Sequence, residues 1–225
     1  MSYWTDFKDK DQFNTGDILL FHHKNDFSNP SNAIFSIFTD LIMWATGSKY
    51  SHTAMIIRDP QFTSPPLKGL YILESSWENF PDVENKEYKL GVELEEFDKV
   101  MATYKEGQVY WRKLDCVRDT TFYEKLAEAH SVVHNRPYDV IPTDWIKAAF
   151  HINRGNTQKK KTFWCSALVA YIYTYLGFLP ADTPWTLVSP KMLGTETPDK
   201  HKEIFQNCTV AVSYTHLTLP TTPYV

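Results

Sequence analysis

The sequence predicts an α+β protein, an antiparallel sheet packed against helices, and three observations carry that expectation. Short apolar runs bounded by Gly, Asp and Ser recur along the chain, as strands do. Longer segments with apolar residues at i, i+3 and i+4 are interleaved with them, as helices are. No internal repeat and no clear linker interrupts the pattern, so one domain is the economical reading. The 225 residues, 43% hydrophobic and 22% charged, suit a globular protein of that size.

Thr15 to His23, TGDILLFHH, is a short apolar strand behind a Gly-Asp turn. The loop KNDFSNPSN follows. AIFSIFTDLIMWATG then places Ile34, Ile37, Phe38, Leu41 and Ala45 on one helical stripe closed by Gly47. That stripe is wide, which suits core packing. Contact with a lipid or membrane surface is the second reading, weakened because the polar face lacks Lys and Arg. SHTAMIIRD, GLYILESSWE and GQVYWRKL are three further strands. The acidic segment Glu84 to Glu96, between the last two, is expected to be an excursion at the surface.

TTFYEKLAEAHSVVHNRPYD is an amphipathic helix with Phe122, Leu126, Ala129 and Val133 inward, ending before Pro137. PTDWIKAAF is a short helix with Thr143 at its cap. KTFWCSALVAYIYTYLG holds a buried helix, with Cys165, Leu168, Val169, Ile172 and Leu176 on one stripe and Gly177 past its last turn. Val212 to Val225 has no amphipathic period and resembles translated sequencing-adapter DNA. It is expected to carry no function, so the domain is taken as residues 1–211.

The net charge of −4 does not argue for nucleic acid as a partner. The run Lys159 to Lys161 reads as a solvated loop. Three widely spaced cysteines without a CxxC pair predict neither a disulfide framework nor a zinc knuckle, and suit a reducing compartment. The polar N-terminus lacks a signal core and no run of about 18 apolar residues occurs, so a cytoplasmic protein is expected.

Cys165 carries the chemical question. A buried Cys is ordinarily a small apolar side chain. At a helix N-terminus, however, the dipole and unpaired N–H groups stabilise a thiolate. A thiolate nucleophile needs an oriented base. His130 and His134 are spaced HxxxH, but they lack the adjacent Glu and a third ligand, so solvent-facing histidines are the favoured reading and no metal is expected. His22 and His23 end a strand, where polar residues belong. His52 heads an apolar strand and shares a face with Ala54 and Ile56, from which it could point at a helix packed over the sheet. Glu74 shares a face with Leu70 and Ile72 on the next strand, an odd place for an unpaired carboxylate and a suitable one for orienting an imidazole. From residues alone, a satisfied core Cys beside a strand-end His explains the same pattern.

The order GDILLF, SHTAMII, YILESS resembles the strand block of the NlpC-type papain-like cysteine peptidases. In that family the Cys-Ser pair that opens a helix precedes this block; here WCSALV follows it. That order is similar to the circularly permuted branch, the YiiX/YebB-like hydrolases, which also has eukaryotic and large-virus members. RPYD, Arg136 to Asp139, resembles that branch's Tyr-Asp element. The resemblance covers Gly16 to Gly177 and implies a permuted papain-like fold. It also implies Cys165 as nucleophile, His52 as general base and Glu74 as the orienting group. Tyr138 would line the site and help hold an oxyanion with Ser166, although a packed aromatic is an equal reading of Tyr138. Asp17 caps a turn rather than touching substrate.

The implied activity is acyl transfer on an amide bond in a peptide or amino-acid conjugate, without cofactor. A lipid acyl hydrolase or acyltransferase of the lecithin:retinol-acyltransferase-like kin is an alternative, although those relatives follow Asn-Cys with Glu-His rather than WCSAL. A non-catalytic binding module on the same fold is another. A metal protein using His22, His23 and His52 is a fourth.

Overall fold

A computed structural model describes residues 10–22, 49–76, 80–104, 108–138 and 163–194, and the backbone of 215–216. The expected helices over 33–47 and 142–150, the Lys159 to Lys161 run and most of the 212–225 tail lie outside these residues.

Strand β1 (Ile18–Phe21) pairs antiparallel with β2 (His52–Arg58) on one side and with β5 (Val109–Arg112) on the other. β3 (Leu70–Ser76) follows β2, and β4 (Gly91–Glu96) closes that edge, giving the order β4-β3-β2-β1-β5. A two-residue strand β6 (Thr215–His216) lies against the outer side of β5. The result is a mixed α+β fold around an antiparallel sheet, as the alternating apolar runs predict.

Strand alternation sends side chains to two cores. Ile18, Leu20, Met55, Ile57, Leu73, Val92 and Leu94 face helices α2 (Thr120–Val133) and α3 (Cys165–Tyr175). Leu19, Phe21, Ala54, Ile56, Ile72 and Trp111 face Phe13 and a short helix, α1 (Phe97–Met101). Phe122, Leu126, Ala129 and Val133 of α2 are buried, as their spacing predicts, and Asp119 caps the helix by accepting the Phe122 N–H at 2.9 Å. α3 is buried on all sides from Cys165 to Tyr173, not along one stripe only. It ends as foreseen at Gly177: with φ at +82°, the Phe178 N–H bonds Tyr173 O at 2.8 Å and the Gly177 N–H bonds Thr174 O at 3.1 Å. A final short helix, α4 (Pro190–Leu193), follows a 3-10 turn at Trp185–Leu187.

One expectation fails. The acidic segment is no surface excursion throughout, because its end is β4, buried from Gly91 to Glu95. Val92 and Leu94 alternate with Glu93 and Glu95, so the strand is amphipathic by period even though its composition reads as loop.

β4 also anchors the approach to α3. Val92 N–H donates to Arg136 O at 2.8 Å, Tyr138 N–H to Leu90 O at 3.1 Å, and Phe163 N–H to Pro137 O at 3.1 Å. A Cβ on Gly91 would lie 2.3 Å from Arg136 O, so only glycine allows this approach. Gly91→Ala is therefore expected to cost about 1–3 kcal/mol by overpacking, read as a lowered denaturation midpoint with unchanged slope. An unchanged midpoint would mean the 136–138 segment can move away freely.

Candidate active site

His52 is the first residue of β2 and Glu74 lies near the end of β3, so both sit at one end of the sheet on the α1 face. His52 Nε2 is 2.6 Å from Glu74 Oε2, which leaves Nδ1 as the ring nitrogen for another partner. Phe21 holds the ring, with centroids 5.3 Å apart.

Cys165 arrives from the opposite face. α3 packs on the Met55 and Leu73 side, and its first turn reaches His52 around the end of the sheet. The face shared by His52, Ala54 and Ile56 is thus not the one that α3 covers, as the alternation argument expected; the two residues meet because both are first in their elements. Ser75, on the face opposite Glu74, fixes the entry to α3 by donating to Phe163 O at 2.7 Å. Trp164, the N-cap, makes no side-chain cap bond, so the first-turn amides are not taken up by a cap.

The electrostatics follow from this packing. Burial opposes the Cys165 thiolate, but the His52 charge, a hydrogen bond from its ring and the amides of Thr53 and Ser166 outweigh it and lower the thiol pKa. Burial likewise opposes the His52 cation, yet Glu74 and the Cys165 thiolate raise its pKa to about 10. Glu74 is lowered: burial acts upward and the neighbouring imidazolium overrides it. The charge-separated state, thiolate beside imidazolium, is the one the surroundings favour.

The other expected site residues are placed as follows. Tyr138 is half-buried against the α2/α3 core, and its backbone bridges Phe163, two residues before Cys165. The Ser166 hydroxyl donates to Val188 O at 2.7 Å, so this side chain ties down the 3-10 turn after α3 while its amide faces the sulfur. Asp17 is fully buried beneath β1. His22 Nδ1 is 2.6 Å from Lys49 O, and His23 lies outside the described residues.

Several neighbours were not foreseen. Glu93 pairs opposite Glu74 across the β3–β4 ladder, and Glu95 lies two residues on, so three buried carboxyls share one region behind His52. Glu95 Oε1 accepts the Phe80 N–H at 3.0 Å, and Glu93 Oε1 accepts from Ser76 Oγ at 2.6 Å. Burial, then Glu74, raise Glu95 to about 10; burial raises Glu93 to about 8. Tyr104 also stands near, its ring 4.6 Å from Phe21 and its hydroxyl pKa pushed up by burial and by Glu74, Glu95 and Cys165. The V-E-L-E alternation could have placed both glutamates; nothing in the sequence marks Tyr104.

HxxxH also departs from expectation. His130 is buried, and Glu84 supplies the third group that the motif lacks in sequence: its Oε2 lies 3.0 Å from His130 Nε2 and 3.2 Å from His134 Nδ1.

Fold and site define a mixed α+β protein with a buried thiol–imidazole–carboxylate chain at the end of its sheet. No family model matches the chain, and neither does any curated protein. Among solved structures, the crystal structure of metalloprotein yiiX from Escherichia coli O157:H7, DUF1105, is a distant neighbour at 20% identity and a TM-score of 0.43. The alignment covers 72% of this chain and 66% of that one, so the chain spans just under two thirds of that protein's length. Among the described residues no helix is long and apolar enough to cross a membrane.

Proposed function

We propose that the protein is a cysteine hydrolase that cleaves an amide bond in a peptide or amino-acid conjugate, on a circularly permuted papain-like fold of NlpC type. The observation that carries this reading is the Cys165–His52–Glu74 chain: a low-pKa thiol opening a helix, hydrogen-bonded to an imidazole whose far nitrogen is 2.6 Å from a buried carboxylate.

In this reading the Cys165 thiolate attacks the substrate carbonyl and forms a tetrahedral oxyanion, held by the first-turn amides of α3. The His52 imidazolium gives its proton to the leaving amine as the C–N bond breaks, leaving a thioester. Neutral His52 then takes a proton from water, the hydroxide attacks the thioester, and acid and thiolate are released. Glu74 fixes the His52 tautomer and supports its charge in both halves. Tyr138, brought beside the Cys165 approach by its bridge to Phe163, is the second candidate for the oxyanion. Ser166 contributes through its amide.

The test is alkylation by iodoacetamide across pH, with mass spectrometry locating the adduct among the three cysteines. Cys165 is expected to label selectively with an apparent pKa well below the ordinary value of about 8.5, rising in His52→Ala. Cys116, whose thiol burial pushes up, is expected to lag at neutral pH. Labelling of Cys165 no faster than Cys116 and insensitive to His52→Ala would leave a structural cysteine and sink the hydrolase.

A further inference from the structure

The histidine pair at the end of α2 is not part of the thiol site and does something of its own. His130 and His134, four residues apart, project side by side from the helix, with ring centroids 5.1 Å apart. Glu84 reaches them from the turn before β4 and places one oxygen, Oε2, within hydrogen-bond range of both rings. All three donor atoms lie within 4.8 Å of one another.

We propose that Glu84, His130 and His134 form a binding site for a single zinc-like divalent cation, with water completing the shell. Two imidazole nitrogens and one carboxylate oxygen are a donor set that borderline metals such as Zn2+ prefer. With metal–ligand bonds of about 2.0–2.1 Å in a tetrahedron, ligand atoms stand about 3.3 Å apart. The two separations from the Glu84 oxygen, 3.0 and 3.2 Å, need to open by only a few tenths, and the two ring nitrogens lie within 4.8 Å of each other. His134 retains solvent exposure, 32% of its side chain, which gives the ion a route in and water a place in the shell.

The site is built rather than accidental. Asp82 Oδ1 accepts the Glu84 N–H at 2.9 Å and Val83 N–H bonds Leu94 O at 2.8 Å, so the turn that carries Glu84 is fixed to β4. Phe62 stacks on the His130 ring at 4.1 Å between centroids and fixes its plane. Asn135 Nδ2 lies 2.8 Å from His134 Nε2, and Asn135 Oδ1 accepts from Lys89 Nζ, which also pairs with Asp82. Without metal, this arrangement puts the His134 proton on Nδ1, directed at Glu84. Metal binding at Nδ1 moves that proton to Nε2, so Asn135 must turn its amide to accept it and give up what its Oδ1 accepts from Lys89 and Asn85, of which Lys89 keeps its bond to Asp82. The His130 proton moves likewise from Nε2 to Nδ1.

The second carboxyl group within metal-binding distance, Glu74 with Glu93 and Glu95, carries no such proposal. It is sealed from solvent and contains no histidine, and Glu74 and Glu95 are hydrogen-bonded to each other.

The experiment is titration of metal-free, untagged protein with Zn2+ by calorimetry and with Co2+ by visible absorption, on wild type, His134→Ala, Glu84→Gln and Cys165→Ser. One ion per chain is expected for wild type and for Cys165→Ser, with a Co2+ ligand-field band and no thiolate charge-transfer band. His134→Ala and Glu84→Gln are each expected to weaken binding by about tenfold or more; the first is half-exposed and the second keeps its shape, so both variants fold. Zn2+ is also expected to raise the melting temperature of wild type and not of these two. No binding by wild type, or binding that disappears in Cys165→Ser and persists in His134→Ala, overturns the site. Either result leaves the thiol chemistry to be judged separately by alkylation.

Discussion

Asp17→Ala is expected to cost about 3–5 kcal/mol of folding stability. Asp17 is fully buried and all four of its contacts are donors. Oδ1 accepts the Leu114 N–H at 2.9 Å and Arg118 Nη2 at 3.1 Å; Oδ2 accepts the Asn14 N–H at 3.0 Å and Trp111 Nε1 at 2.9 Å. Burial is the largest influence on this carboxyl and raises its pKa, so the four donors offset desolvation rather than exceed it. The cost of the variant therefore lies chiefly in the two buried donors it orphans, the Leu114 amide and the Trp111 indole N–H, while Arg118 keeps Thr15 O and Leu114 O and the Asn14 amide lies nearer solvent. Asp17→Asn keeps the volume but points an NH2 group at donors, and is expected to lose an intermediate amount. Urea denaturation measures both. A loss under about 1 kcal/mol for Asp17→Ala would mean that water enters and satisfies the donors.

The second large effect appears at alkaline pH. Among the described residues no N–H or O–H group donates to Glu95 Oε2, yet this carboxyl is hydrogen-bonded to Glu74, so one of the two carries a proton. Glu74 faces His52 and is lowered; Glu95, raised to about 10, is the one that holds it. The groups around it are Glu74 and His52 from β3 and β2, Glu93 on its own strand, Ser76, the Phe80 amide and Tyr104. A carboxyl with folded pKa far above its unfolded value contributes stability that is complete below the unfolded value and lost as pH rises through the folded one. His52, raised to about 10 from 6.5, acts in the same direction over the upper part of that range. Stability is thus expected to fall from about pH 4.5 upward, most steeply between about pH 7 and 10, where both groups act.

Glu95→Gln removes one of these titrations while keeping a donor for Glu74 and an acceptor for the Phe80 amide. The slope should flatten by about one proton, or about 1.4 kcal/mol per pH unit, reaching about 4 kcal/mol across three units. The variant should approach wild type near pH 4.5, where the carboxyl is neutral folded and unfolded alike, and exceed it by a growing margin up to pH 9. Equal slopes for the two proteins would place the proton elsewhere.

This cluster also shows where sequence reasoning stops. Cys165, His52 and Glu74 were legible because each sits at an element start or on an otherwise apolar face, and two-residue alternation reveals such positions without knowledge of partners. Glu93 and Glu95 were not, because a carboxylate in sequence counts as a charge. The formal charge of −4 includes both, although burial holds Glu93 at about 8 and Glu95 at about 10. GVELEE therefore read as solvated when it is a neutralised strand. The strands and α2 were legible from period alone. That α3 and His52 lie on opposite faces was not, since nothing in one strand's alternation says which helix covers it. The Glu84–His130–His134 grouping spans 50 residues of sequence, from Glu84 to His134, and depends on the turn before β4 packing against the end of α2.

The bridge between Tyr138 and Phe163 has a consequence for how the start of α3 is held. The chain departs after Tyr138 and returns at Phe163 beside it, with the Phe163 N–H on Pro137 O and Phe163 O held by Ser75. The residue that leads into α3 is thus fastened on two sides, to Pro137 through its N–H and to Ser75 through its carbonyl. Trp164 and Cys165 therefore take their position from a two-point clamp made by β3 and the 136–138 segment, so the place of the sulfur is set by the sheet as well as by its own helix.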